Sequence, residues 1–176
     1  MAAPSVIPVD EEITFDREDI IVSKTDPSGI ITYANDIFCK IAEMTTKDVI
    51  GQPHNIIRHP DMPRIIFKVL WDQLKSGSEI FAYVKNMSKT GKFYWVIAHV
   101  TPSFDKNREL TGYNSTRRCP TPRDIKSISA LYQTLLIEEM KHESPTDQLK
   151  ASGKALEQVL DQRNDTYEEF IWSMIN

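Results

Sequence analysis

The sequence predicts an α+β fold: a single antiparallel sheet with short helices on one face, followed by a helical extension. Three observations lead there. β-rich runs open and close the central part of the chain, helical periodicity is confined to a block between them, and the breaks carry turn chemistry. Strands and helices segregated in this way build one sheet with helices on one side, not alternating βαβ units.

Residues 1–19 contain prolines and then acids (Asp10, Glu11, Glu12, Asp16), without a sustained apolar period, and read as a loose arm with a short cap. A hairpin follows. Ile20-Ile21-Val22-Ser23 and Ile30-Ile31-Thr32-Tyr33 are its strands, and Asp26-Pro27-Ser28-Gly29 is its turn. Asn35 and Asp36 suit the N-cap of a helix running through Met44, with Ile37, Phe38, Ile41 and Met44 on one side. Thr46 then caps a short segment ending at Gly51. Residues 53–63 hold three prolines and two histidines, a density that permits only short helical turns. A longer helix begins after Pro63, which suits a first helical position. Ile66, Phe67, Leu70, Trp71 and Leu74 form its stripe until Ser76-Gly77.

The pattern then returns to β. Residues 79–87, 92–103 and 110–117 form three strands, with Trp95, Ile97 and His99 alternating against Tyr94, Val96 and Ala98. After Pro120 the texture is helical. Ile125, Ile128, Tyr132, Leu135 and Met140 make one stripe, broken at Ser144-Pro145-Thr146-Asp147. A last segment alternates at four and three residues through Leu149, Gly153, Leu156, Leu160, Arg163, Tyr167, Phe170 and Met174. That seam is heptad-like, interrupted at Gly153 and Arg163. It reads either as a surface for self-association and partner docking or as a flank packed on the domain.

Composition narrows the function. The 176 residues are 40% hydrophobic, enough for a core, and carry a net charge of −4, which disfavours nucleic-acid phosphates and anionic membranes as partners. No apolar run approaches the roughly 18 residues that cross a bilayer. The N-terminus lacks the pattern of a secretory signal. Two cysteines, Cys39 and Cys119, make no disulfide framework and read as inert thiols. The expectation is a cytoplasmic protein in a reducing compartment. His99 and His142 have no metal-ligand spacing around them.

The string Gly51-Gln52-Pro53-His54-Asn55-Ile56-Ile57-Arg58-His59-Pro60-Asp61-Met62-Pro63 is the most specific feature of the chain. It resembles the PAS domain of bacterial aerotaxis receptors. The likeness continues through Phe67 and Trp71, Val84-Lys85-Asn86 and Tyr94-Trp95-Val96 to Gly112-Tyr113. The resemblance covers roughly residues 20–120, so the chain divides into the arm (1–19), a PAS sensor domain (20–120) and a helical extension for signalling or dimerisation (121–176). It implies a five-stranded antiparallel sheet of order 2-1-5-4-3 with FAD held between sheet and helices. It also implies that Arg58, His59, Asp61, Trp71 and Asn86 bind the flavin, with His54 a further candidate. Two departures stand out: Ile80 occupies a position where a tryptophan is common, and Met87-Ser88 replace a basic pair after the strand asparagine.

The residues themselves agree with that site. Arg58 and His59 are donors for phosphate or a ring carbonyl. Asp61 suits a ribose hydroxyl or Arg58 itself, Trp71 offers a flat apolar plane, and Asn86 has both donor and acceptor. Each also has a plainer reading. Arg58, His59 and Asp61 suit a network that locks a proline-rich loop, Trp71 suits a core position, and Asn86 suits a strand edge. The string N-C-R-F of blue-light PAS domains is absent. No nucleophile–base–orienter set has motif support, so the expectation is a sensor and not an enzyme. It would report redox state or oxygen to a signalling protein in trans, such as a chemoreceptor or histidine kinase, and form a homodimer. The alternatives are FMN as the flavin, a haem b gas sensor ligated by His54 or His59, and a cofactor-free interaction module.

Overall fold

The computed structural model describes residues 6–175. Its sheet comprises β1 (Ile21–Thr25), β2 (Ile31–Ala34), β3 (Ile80–Met87), β4 (Phe93–Phe104) and β5 (Leu110–Arg118). Every neighbouring pair is antiparallel and the order is β2-β1-β5-β4-β3, as the resemblance implies. Between β2 and β3 lie α1 (Asp36–Ile41), α2 (Thr46–Val49), a 3-10 turn (His54–Ile57) and α3 (Arg64–Lys75). After the sheet come α4 (Pro122–Met140), α5 (Pro145–Arg163) and α6 (Tyr167–Ile175).

Local chemistry explains most boundaries. Asn35 caps α1 as expected, its Oδ1 accepting from Phe38 N at 3.0 Å. The same oxygen accepts from Val22 N, and Nδ2 donates to Ile20 O at 2.8 Å, which ties the helix start to β1. The helix stops at Ile41, short of Met44, because the chain turns at Ala42 and takes a left-handed conformation at Glu43 (φ 53°). Thr45, not Thr46, caps α2, in a reciprocal box with Asp48. Pro63 is the N-cap of α3, one place ahead of the expected first turn. Thr121 and Asp124 form another such box at α4.

Two expectations are corrected. Residues 6–19 of the arm are not loose along their length. Val9 N donates to Gly91 O, Ile13 N to Phe93 O and Phe93 N to Glu11 O, at 2.8–3.0 Å. β5 pairs with β4 only from Ile97 onward, so the arm satisfies backbone groups that the sheet leaves open. Residues 1–5 of the expected arm lie outside the described residues. The heptad-like seam is also not one surface. Asn164 adopts a left-handed conformation (φ 54°), Thr166 and Glu169 exchange capping bonds, and the chain restarts as α6. Leu156, Phe170 and Ile171 are then buried in this chain's own core. In α4 the stripe turns by one residue at its end: Glu139 is buried and Met140 is exposed.

The two sheet faces have different covers. Val84, Asn86, Ala98, Val100, Tyr113, Ser115 and Arg117 share one face, by strand alternation, and look toward α3. Phe81 and Trp95 are of the other parity, and the rings of Trp172 of α6 and Tyr132 of α4 pack tilted against them, at 4.7 and 6.1 Å between centroids. α5 packs against α3. The C-terminal helices therefore reach from the outer sheet face round the edge of β3 to α3.

Candidate ligand-binding cleft

A cavity of about 290 Å³ lies between the inner sheet face and the helical wall formed by the 3-10 turn and α3. That is near the lower bound of roughly 300 Å³ for cofactor clefts. Prolines shape the wall. Held to a single 3-10 turn after Pro53, the chain becomes extended at Arg58 and bridges to Asn86 on the free edge of β3. Gly29 has φ +84°, and its missing Cβ would lie 3.7 Å from Trp71, so the turn passes close under the indole.

Four of the six expected site residues meet here: His54, Arg58, Trp71 and Asn86. Arg58 donates to Met62 O at 3.3 Å and lies 4.1 Å over the Phe67 ring. Burial lowers its pKa, Arg64 lowers it further, and the Glu139 carboxylate opposes both. Trp71 stands edge-on to Tyr113, with 5.4 Å between centroids. Asn86 is 4% exposed and its Nδ2 has no hydrogen-bond partner.

His59 and Asp61 do not line the cavity. His59 is buried beside Phe93, where its Nδ1 accepts from Asp61 N at 3.1 Å. Burial and then Lys85 lower its pKa, against the opposing pull of Asp61. Asp61 is exposed and pairs with Lys85 at 2.8 Å. These contacts hold the proline-rich loop against the edge of β3.

The sequence reading missed a second guanidinium in the cleft, the more deeply buried of the two. Arg117 of β5 is 4% exposed; one amino group, Nη2, donates to Ser23 Oγ at 2.9 Å and to His54 Nε2 at 2.6 Å. Its other, Nη1, has no partner. Burial pushes its pKa down to about 10. Among the described residues no carboxylate lines the cavity. The sequence signal was present: Arg117 shares strand parity with Ser115 and Tyr113, so a charged residue stands at an inward position.

Four buried polar side-chain atoms are without a partner among the described residues, and three of them belong to Asn86, Ser115 and Arg117, residues that line this one cavity. Native interiors leave few such groups, and an unsatisfied one costs about 1–3 kcal/mol. They are unpartnered polar groups on residues around a hollow, and a side-chain rotation toward a polar ligand would relieve them. A larger, open groove of about 530 Å³ runs between α4, α5 and α6, but none of these atoms lines it. Neither cysteine lines the cleft, and among the described residues no cluster of three His, Cys, Asp or Glu is placed to hold a metal. No helix among them is long and apolar enough to cross a membrane.

His54 is held neutral. Burial first, and the Arg117 charge second, push its pKa down to about 3. Because Nε2 accepts from Arg117, the ring proton is assigned to Nδ1. As pH falls below the ordinary histidine value, the unfolded chain takes up a proton that the folded one refuses, so stability is lost toward acid. Between pH 7 and pH 5 the wild type should lose about 2 kcal/mol more than His54→Gln. Denaturant midpoints at the two pH values measure this, and parallel losses in both proteins would refute it.

Residues 31–117 match the family model described as the PAS fold, and the domain they form is a PAS domain. It is of the aerotaxis-receptor type. The chain is 39% identical over 115 residues to the aerotaxis receptor of Escherichia coli (strain K12), covering 65% of this chain and 22% of that protein. It is 25% identical over 103 residues to the nitrogen fixation regulatory protein of Klebsiella pneumoniae, covering 58% of this chain and 21% of that one. A solved light-oxygen-voltage domain, studied with a flavin analogue, superposes with a TM-score of 0.56 at 16% identity. That match covers 65% of this chain and 86% of that one, and it concerns the fold alone.

Proposed function

We propose that this PAS domain binds a flavin, FAD, in the cleft and reports redox state or oxygen to a signalling protein in the cytoplasm. The observation that carries the reading is the set of unpartnered polar atoms on Asn86, Ser115 and Arg117, three residues lining a cavity that also has Arg58 and, among the described residues, no carboxylate. A flavin ring edge alternates carbonyl oxygens with ring nitrogens, which matches those donors. The likeness to an aerotaxis receptor supports the same reading.

In this account Trp71 provides a plane for the ring, Asn86 and Ser115 address its polar edge, and Arg117 supplies compensating positive charge in a dry site. Arg58, at the helical wall, serves the phosphate side of the ligand. The cavity suits one ring system, with the remainder of a dinucleotide lying outside it. His59 and Asp61 act indirectly, by locking the loop that carries Arg58. The flavin supplies a reversible change of charge and protonation along its edge. Asn86 answers such a change because its amide presents either oxygen or N–H after a half-turn. Its strand lies under the C-terminal helices, so residues 121–176 are the output and residues 20–120 the sensor, with a homodimer or a partner in trans as receiver. A haem is disfavoured, since His54 Nε2 is engaged by Arg117 and His59 lies outside the cavity.

The visible spectrum of freshly purified protein tests the reading. Two flavin bands are expected, and chromatography of the released cofactor separates FAD from FMN. One intense, narrow band would establish haem instead, and colourless protein from flavin-replete cells would overturn the proposal. Asn86→Ala and Arg58→Ala should each weaken flavin retention by about tenfold, the worth of one hydrogen bond at a buried or charged site, with unchanged circular dichroism. Unchanged flavin occupancy in both would move the site elsewhere.

A further inference from the structure

α3 and β3 both contribute to the walls of the cleft, and one helix outside it is fastened to both. Tyr132 of α4 donates its hydroxyl hydrogen to Tyr83 O at 2.6 Å, on the strand that sends Val84 and Asn86 into the cleft. Two turns later, Glu139 Oε1 accepts from Ile65 N at 3.3 Å, in the first turn of the helix that carries Phe67 and Trp71. Both side chains are buried, Tyr132 at 2% and Glu139 at 5% exposure.

The second bond fills a local deficiency. Pro63, the N-cap of α3, provides no side-chain acceptor, and the first turn contains no acid. A helix start in that condition leaves N–H groups open and its positive dipole end uncompensated. Glu139, 74 positions further along the chain, supplies both an acceptor and a negative charge. α5 leans on the same place, because a Cβ on Gly153 would lie 3.3 Å from Ile65 Cδ1.

We propose that Glu139 is the joint through which the state of the cleft reaches the C-terminal helices. A seven-residue stretch of helix spans about 10.5 Å and is stiff. α4 therefore cannot keep both attachments if the distance between α3 and β3 changes. The longer bond yields first: Glu139 leaves Ile65, α3 loses its cap, and α5 loses its seat on Ile65, while Tyr132 keeps α4 on β3. This rests on the flavin reading for what changes the distance, and it adds a route by which α5 and α6 are released. Glu139 does not line the cleft, so it is a positioning residue.

Amide hydrogen exchange on the full chain, oxidised and then reduced anaerobically, tests the joint. Reduction should speed exchange at residues 65–67 and along α5 by about tenfold, the worth of a helix cap. In Glu139→Ala those amides should exchange quickly in both states, so the response to reduction disappears while the absorption spectrum of the bound flavin stays the same. Should that variant fold poorly, Glu139→Gln keeps an acceptor without the charge and should show a reduced response. Coloured protein whose exchange ignores reduction, or a glutamine variant that responds as wild type, would overturn the joint alone. Colourless protein would overturn the flavin reading and the joint with it.

Discussion

Replacing Arg117 with methionine is expected to weaken binding of the proposed flavin while leaving the ligand-free fold at least as stable as before. The two effects have opposite signs because the guanidinium is buried without an acid. Its guanidinium holds Ser23 and His54, yet Nη1 is unsatisfied and the buried charge has lost its water. A methionine of comparable length removes that penalty, and replacing buried charge by apolar volume is often neutral or stabilising. With ligand present the balance reverses, since a hydrogen bond to a charged group is worth about 1.5–3 kcal/mol and its loss weakens binding by roughly 10- to 100-fold. Differential scanning calorimetry of stripped protein should give an equal or higher Tm. Flavin titration should give a much weaker Kd. A variant that melts well below wild type without ligand, or that binds flavin as tightly as wild type, contradicts this account of the cleft.

The largest loss of stability is expected from Gly112→Ala. Gly112 sits in β5 with φ +153°, a conformation that side chains rarely adopt. A methyl group there would overlap the carbonyl oxygen of Thr25, and would lie 3.1 Å from its carbon and 3.3 Å from Asp26 Cα. All three are backbone atoms, so nothing can rotate aside. β1 and β5 would have to part at the Thr25–Tyr113 pair, opening the cleft at Thr25. Overpacking combined with backbone strain places the cost at about 3–5 kcal/mol, in the upper tail for single substitutions. Urea unfolding measures it, and a loss below about 1 kcal/mol would show that the strand pair accommodates a side chain.

The fates of Arg58 and His59 show where reading the chain reached its limit. They are adjacent, both are cationic donors, and both fall in the same resembling string. The extended backbone at Arg58 (φ −72°, ψ 125°) directs successive side chains to opposite sides. Arg58 faces the cleft and His59 faces Phe93. No residue-type argument separates them, because the deciding fact is which side of the segment meets β3. Arg117 is the complementary case. Its inward parity is readable from strand alternation, but its unpartnered Nη1 shows only when Ser23 and His54 are brought beside it.

The split of the C-terminal seam has the same origin. Leu156, Phe170 and Ile171 have the apolar character the repeat demands, yet their partners belong to this chain's own core. A repeat states that a face will be covered and says nothing about by what. The helix start at Asn35, by contrast, was legible in the sequence, and Thr121 and Ser144 obey the same local rule, since a cap acts on an amide three positions away.

Neighbouring residues alone were enough to specify strands, turns and caps, because those interactions span at most four positions and depend on side-chain chemistry that can be read directly. Assembly of the cleft needed Ser23, His54, Asn86 and Arg117, which lie far apart along the chain and are united by sheet pairing and by the bridge from Arg58 to Asn86. Which polar atoms end without partners is a property of that packing, since only a closed interior can exclude the water that would otherwise satisfy them.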